Sequence, residues 1–137
     1  MMERQDTKIL VAEDDESNRT LLALLLEHAQ YEVHLAPDGY EALPYMFRGV
    51  VDVVVTNWHM PRVSGADFLS LSRILWPDVP VIIISAYAAP LEGIPRGAFA
   101  WLIKPYEKDE LLQVLRMAVQ KTAHRHREQS VTTAVLP

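Results

Sequence analysis

The chain has 137 residues, half of them apolar and 23% charged, which suits one globular domain with a buried core and excludes a disordered chain. A net charge of −5 argues against a broad nucleic-acid footprint, and the absence of cysteine excludes disulfides and thiolate metal sites. The polar start lacks the apolar core of a signal peptide and no apolar run approaches the ~20 residues of a membrane span, so a cytoplasmic compartment is expected.

Residues 1–6 read as an N-terminal extension. Ile9–Ala12 is a short continuous apolar run, the pattern of a strand buried on both faces. Asp15 or Ser17 can cap the helix that follows, and Leu21, Leu24, Leu25, Leu26 and Ala29 give it a wide apolar side. Val33 and Leu35 alternate with His34 as a second strand, and Pro37-Asp38-Gly39 turns the chain. Tyr40–Phe47 is helical in pattern, but Pro44 removes an amide donor, so a short or kinked helix ending at Gly49 is expected. Val50–Thr56, interrupted by Asp52, is the most β-rich run.

Pro61–Gly65 reads as a loop. Phe68, Leu71 and Leu75 recur at helical spacing until Trp76-Pro77-Asp78 stops the helix. Val79–Ser85 is a fourth strand. Residues 88–97 hold Pro90, Gly93, Pro95 and Gly97, so any helix there is short or broken. Phe99–Ile103 is a fifth strand, and Leu111, Val114, Leu115 and Ala118 mark a last amphipathic helix. From Thr122 to Pro137 the pattern dissolves into a polar tail or linker. Strand and helix alternate five times, which implies an α/β fold: a parallel sheet with helices on both faces.

Ligand sites in such sheets lie beyond the C-terminal strand ends, and four strands end in polar chemistry. Glu13 and Asp14 follow the first. Two adjacent anions invite a hard cation such as Mg²⁺, although the same acids could simply decorate a helix N-terminus. Asn57 closes the strongest strand, where a carboxylate would be a third acid and a nucleophile. An amide there coordinates weakly and hydrogen-bonds, and Asn is also a common turn residue. Ser85 can donate to an anion at the same edge or merely cap its strand. Lys104, directly after Trp101-Leu102-Ile103, needs an acid or anion nearby, and an ion pair to Glu13 or Asp14 would satisfy it. Asp52 lies roughly 16 Å down its strand at ~3.3 Å per residue, at the wrong end of the sheet. Asp38 reads as a turn and cap residue, and the side chain of His59 as part of a loop. Acids stand where a flavin or nucleotide binder would carry a glycine-rich loop.

Ile9-Leu10-Val11-Ala12-Glu13-Asp14-Asp15-Glu16, Asn57-Trp58-His59-Met60-Pro61 with Ser64-Gly65, Ile84-Ser85-Ala86 and Ile103-Lys104-Pro105 together resemble the response-regulator receiver domain of two-component signalling. The resemblance covers about residues 7–121 and implies a five-stranded, doubly wound flavodoxin-like sandwich. It implies that Glu13, Asp14, Asn57 and the backbone carbonyl of His59 hold Mg²⁺. Ser85 and Lys104 then hold phosphoryl oxygens, and Trp101 is the aromatic that swings when the hydroxyl moves. The implied partners are a histidine kinase or phosphotransfer protein and a downstream output domain or protein, with no membrane or nucleic acid bound by this domain. The module is a switch, not an enzyme with a separate substrate.

Two departures stand out. The family's phosphate-accepting aspartate is Asn57, so phosphorylation by the family route is not expected and Mg²⁺ should bind more weakly. The alternative is a pseudo-receiver, an interaction module that works without phosphate. The interval from Ser85 to Lys104 is also short, which puts the family's fourth helix in doubt.

Overall fold

The computed structural model describes residues 6–135, with side chains through Thr122. Most of the expected extension, residues 1–5, and the last two tail residues lie outside the described part. Five strands alternate with four helices: β1 (Lys8–Ala12), α1 (Glu16–His28), β2 (Glu32–Ala36), α2 (Gly39–Phe47), β3 (Val53–Asn57), α3 (Gly65–Leu75), β4 (Val81–Ser85), β5 (Ala100–Ile103) and α4 (Lys108–Val135). All strand pairs are parallel, in the order β2-β1-β3-β4-β5.

The apolar runs alternate between two cores, as the two-residue period of a strand requires. Ile9, Val11, Val53, Val55, Ile82, Ile84 and Leu102 face α1 and α4, whose Leu22, Leu26, Leu111 and Leu115 meet them. Leu10, Ala12, Val54, Val81 and Ile83 face α2 and α3, where Ala42, Met46, Phe68 and Leu69 close the second core. Each such large side chain removed from water contributes on the order of 1.5–3 kcal/mol. The sandwich is thereby covered on both faces, and the polar groups collect at the strand ends.

Caps follow local chemistry. Asp15, Asp38 and Ser64 accept from the backbone N–H three residues on and start α1, α2 and α3. Pro44 sits inside the nine-residue α2, and Gly49 (φ 70°) follows its end. β3 starts at Val53 and β4 at Val81, later than the apolar runs suggest. Asp52 lies just outside β3, where its carboxylate accepts from Lys8 N at 2.8 Å. It therefore sits at the edge of the sheet away from Asn57.

Three expectations are corrected. The buried face of α1 is Leu22, Ala23 and Leu26, while Leu21 and Leu24 are 64% and 61% exposed. The 100° step between helical residues cannot bury five neighbouring apolar positions on one side. The buried face of α3 is Gly65, Phe68, Leu69 and Ser72, with Leu75 exposed, because Ser72 turns inward and carries the face one position from the 68-71-75 series. The backbone of α4 continues through Val135, past the point where an irregular tail is expected. No Gly or Pro interrupts residues 108–135, so an established helix propagates. Between β4 and β5 no helix forms; Gly93 and Gly97 adopt φ of 106° and 95° in that segment. No helix among the described residues is long and apolar enough to cross a membrane.

The exposure difference within α1 gives a direct check. Leu26→Ala should cost about 2–5 kcal/mol and Leu21→Ala no more than about 0.5 kcal/mol in urea unfolding. Equal costs would contradict the observed orientation of α1.

Candidate functional site

Backbone pairing carries the strand-end residues to one place. Glu13 N–H donates to Ala36 O (3.0 Å), Trp58 N–H to Ile84 O (2.9 Å) and Lys104 N–H to Ser85 O (2.7 Å), each bond extending a strand pair by one residue. Asn57 is level with Ile84, and Ser85 with Ile103. Glu13, Asp14, Asn57, His59, Ser85 and Lys104 consequently line one cleft of about 240 Å³.

Glu13 is its centre. The residue is 1% exposed, and a carboxylate removed from water must be matched by donors. Lys104 Nζ donates to Oε1 at 3.1 Å, across 91 residues of sequence. Asp15 N–H donates to Oε2 at 3.1 Å, and the Asn57 amide donates to the same oxygen in a short contact. The Asn57 Nδ2 group also donates to Asp14 Oδ1 at 3.0 Å. One carboxamide thus bridges the two acids. Arg19 Nη1 holds the main chain of the acidic turn through Glu13 O at 2.9 Å. Gly65 packs so closely on β3 that a Cβ there would lie 2.1 Å from Asn57 O.

The remaining expected residues are near but engaged otherwise. Ser85 is buried, and its Oγ accepts from Tyr87 N–H at 3.1 Å, a turn within its own loop. Trp101 is half-buried; its indole N–H donates to Tyr87 O at 2.9 Å, and its ring lies 5.1 Å from that of Trp58. The His59 ring meets Tyr87 edge-on at 6.0 Å.

Sequence reading missed Arg19, Tyr87 and Tyr106. Tyr87 could have been found as the donor in a two-residue serine turn; Arg19 and Tyr106 have no local signature. Burial, and then the Glu13 charge, push the Tyr106 phenol up to about 12, so it is neutral at pH 7. Tyr106 lines a second cleft of about 480 Å³ with Leu21, Leu22, Leu25 and Pro105, which shares Glu13, Asn18 and Lys104 with the first.

The donor set is hard oxygen, of the kind Mg²⁺ takes. Among the described residues no three His, Cys, Asp or Glu side chains gather into a metal cage. The acids meet a neutral amide instead of a third carboxylate, and that amide presents N–H groups to them. A cation would displace those donors, and the carboxamide would turn its oxygen inward.

Comparison with known proteins bears on the fold and the family. The family model for the response regulator receiver domain matches residues 9–116. The transcriptional regulatory protein ZraR of Escherichia coli is 35% identical over 98% of this chain and 30% of its own length. The DNA-binding transcriptional regulator NtrC of a Bradyrhizobium species is 32% identical over 85% of this chain and 25% of its own. The chain therefore spans about a third or less of the curated relatives it matches. Among solved structures, chemotaxis protein CheY4 of Vibrio cholerae superposes with a TM-score of 0.75 at 31% identity, covering 82% of this chain and 98% of that one. The response regulator TrrA of Thermotoga maritima, solved with Mg(2+)-BeF, gives 0.76 at 29% identity over 82% and 98%.

The Glu13–Lys104 pair is testable by itself. Lys104→Ala leaves the Glu13 charge with two neutral donors and should cost about 1–3 kcal/mol, less than a fully buried pair because Lys104 is partly exposed. A loss below about 0.5 kcal/mol in urea unfolding would show that the pair does not hold the site.

Proposed function

The chain belongs to the response regulator receiver domain family, and on that premise we propose that it is a phosphorelay receiver whose acceptor position is neutralised. Receivers are signalling modules, and those of this family generally use Mg²⁺ in phosphorylation. The observation carrying the proposal is the Asn57 carboxamide, which bridges Glu13 and Asp14 beside Lys104.

A phosphoryl acceptor must offer a free lone pair in line with the donor's leaving group. The lone pair of an amide nitrogen is delocalised, and here its N–H groups are directed to the acids. Asn57 therefore does not take phosphate by the family route. Glu13, Asp14, the Asn57 carboxamide oxygen and the backbone carbonyl of His59 would hold Mg²⁺, more weakly than with an acid at 57. When bound, the metal neutralises phosphoryl charge. Lys104 would neutralise phosphoryl oxygens as well, and the Ser85 O–H would donate a hydrogen bond to one of them. Trp101 follows that hydroxyl as the switch residue. The cleft of Leu21, Leu22 and Leu25 against Tyr106 adjoins this site and suits the helix of a histidine kinase or phosphotransfer protein. An output domain or protein reads the switch. The relatives' names mention DNA binding and transcription; this acidic domain serves as the input to such an output rather than as the nucleic-acid contact. Its compartment is the cytoplasm.

In the Asn57→Asp variant a carboxylate oxygen can attack the phosphorus of acetyl phosphate, with acetate leaving. Incubation with labelled acetyl phosphate and Mg²⁺ should label this variant and not the parent chain. A folded variant that takes no label would contradict the reading.

A second reading is favoured by the same bridge. Because the amide satisfies both acids, the domain can hold one conformation without metal or phosphate and act as a pseudo-receiver that binds a partner. Co-purification of the partner should then be insensitive to EDTA and to phosphodonor. Dependence on either would reject the pseudo-receiver and return the protein to the first reading.

A further inference from the structure

The loop leaving Asn57 carries an arginine in a conformation that side chains adopt at a cost. Arg62 has φ of 65°, in the left-handed region. Its Nε and Nη2 each lie 2.7 Å from Asp38 Oδ2, Nη2 lies 3.6 Å from Glu41 Oε1, and the guanidinium carbon lies 4.8 Å from the Tyr40 ring centroid. Asp38 is 5% exposed and starts α2 by accepting from Glu41 N–H at 2.8 Å. Burial alone would raise its carboxyl pKa, but the Glu41 N–H and the Arg62 charge outweigh it and hold the group below the usual range. Neither residue touches the acid pair, and α2 would be capped by Asp38 without Arg62.

The loop is tied at two further points. Gly39 N–H donates to Val63 O at 3.1 Å, so close that a Cβ on Gly39 would lie 2.3 Å from that oxygen. Gly65 N–H donates to Trp58 O at 2.8 Å and closes the base of the loop. His59, on the rim of the candidate cleft, lies between these ties. A glycine at 62 would adopt this φ freely but would tie nothing. Arginine combines a conformational cost with a cation aimed at a buried anion.

We propose that Arg62 is a positioning residue: by clamping the loop to the first turn of α2 it fixes the backbone from Trp58 to Val63, and with it the His59 carbonyl. The role toward the carbonyl rests on the receiver-site reading; the clamp itself does not. An exposed ion pair contributes little, but here one partner is buried and an aromatic face supports the cation.

Hydrogen exchange on the full chain tests the clamp. Arg62→Gly keeps the backbone geometry and loses the tie, so amides of residues 58–60 and 62–64 should exchange about threefold to fivefold faster. Amides of β1, β3 and β4 should be unchanged, and Arg62→Lys should retain part of the protection. Equal loop rates in parent and Arg62→Gly would overturn the proposal. The positioning role is read by Mg²⁺ titration of Trp58 fluorescence in Asn57→Asp, with and without Arg62→Gly. Affinity should fall by a similar factor. Faster exchange with unchanged affinity would reduce Arg62 to a structural tie and overturn its positioning role. Failure of Asn57→Asp itself to bind Mg²⁺ would overturn the receiver-site reading and the positioning role together, a result seen before any change at 62.

Discussion

A carboxylate taken out of water has to be surrounded by donors, and the Glu13 side chain meets that demand with groups from two distant stretches of chain and a backbone N–H two residues on. Lys104 comes from the turn after β5, Asn57 from the end of β3, and the Asp15 N–H from the capping turn of α1. Asn57 and Lys104 reach Glu13 only when β1, β3, β4 and β5 pair in the observed register. The site is therefore a consequence of strand registry, and in turn it penalises any slip in that registry. Arg19 and Gly65 serve the same end: one fixes the acidic turn, and the other lets α3 begin directly against the end of β3.

The carboxamide at 57 sets which groups the two acids meet. An acid at that position would crowd three carboxylates and require a cation. The amide supplies two N–H groups where charge compensation is needed and withholds the nucleophile. The same carboxamide thus hydrogen-bonds both acids without adding a third negative charge. The segment between β4 and β5 also departs from a full doubly wound sandwich. No helix forms between β4 and β5, and the segment is tied to the site by the backbone of Tyr87, which donates to Ser85 and accepts from Trp101. A movement of the Ser85 hydroxyl toward the cleft would break one of these bonds and leave the other to be renegotiated.

The strand-end chemistry was legible because each buried strand is a continuous apolar run, and the first polar residue after such a run marks the edge of the sheet. Glu13, Ser85 and Lys104 are each such a residue, and Asn57 follows one step later, after the buried Thr56. What remained hidden lacked a periodic or local mark. Five leucines within residues 21–26 admit several helical faces, and only packing against Ile9, Val11 and Tyr31 selects Leu22 and Leu26. Ser72 is polar in sequence yet buried, which shifted the apparent face of α3. The Arg62–Asp38 tie joins two turns 24 residues apart with nothing in either turn to announce it.

The Asn57 side-chain amide is held between the Glu13 and Asp14 carboxylates. Proton–nitrogen NMR of the Asn57 carboxamide in the parent chain measures this directly. Both amide protons should exchange slowly and lie downfield of free asparagine, unaltered by EDTA, with Lys104→Ala disturbing them through Glu13. A carboxamide exchanging at the rate of a solvent-exposed asparagine, with ordinary shifts, would contradict the account.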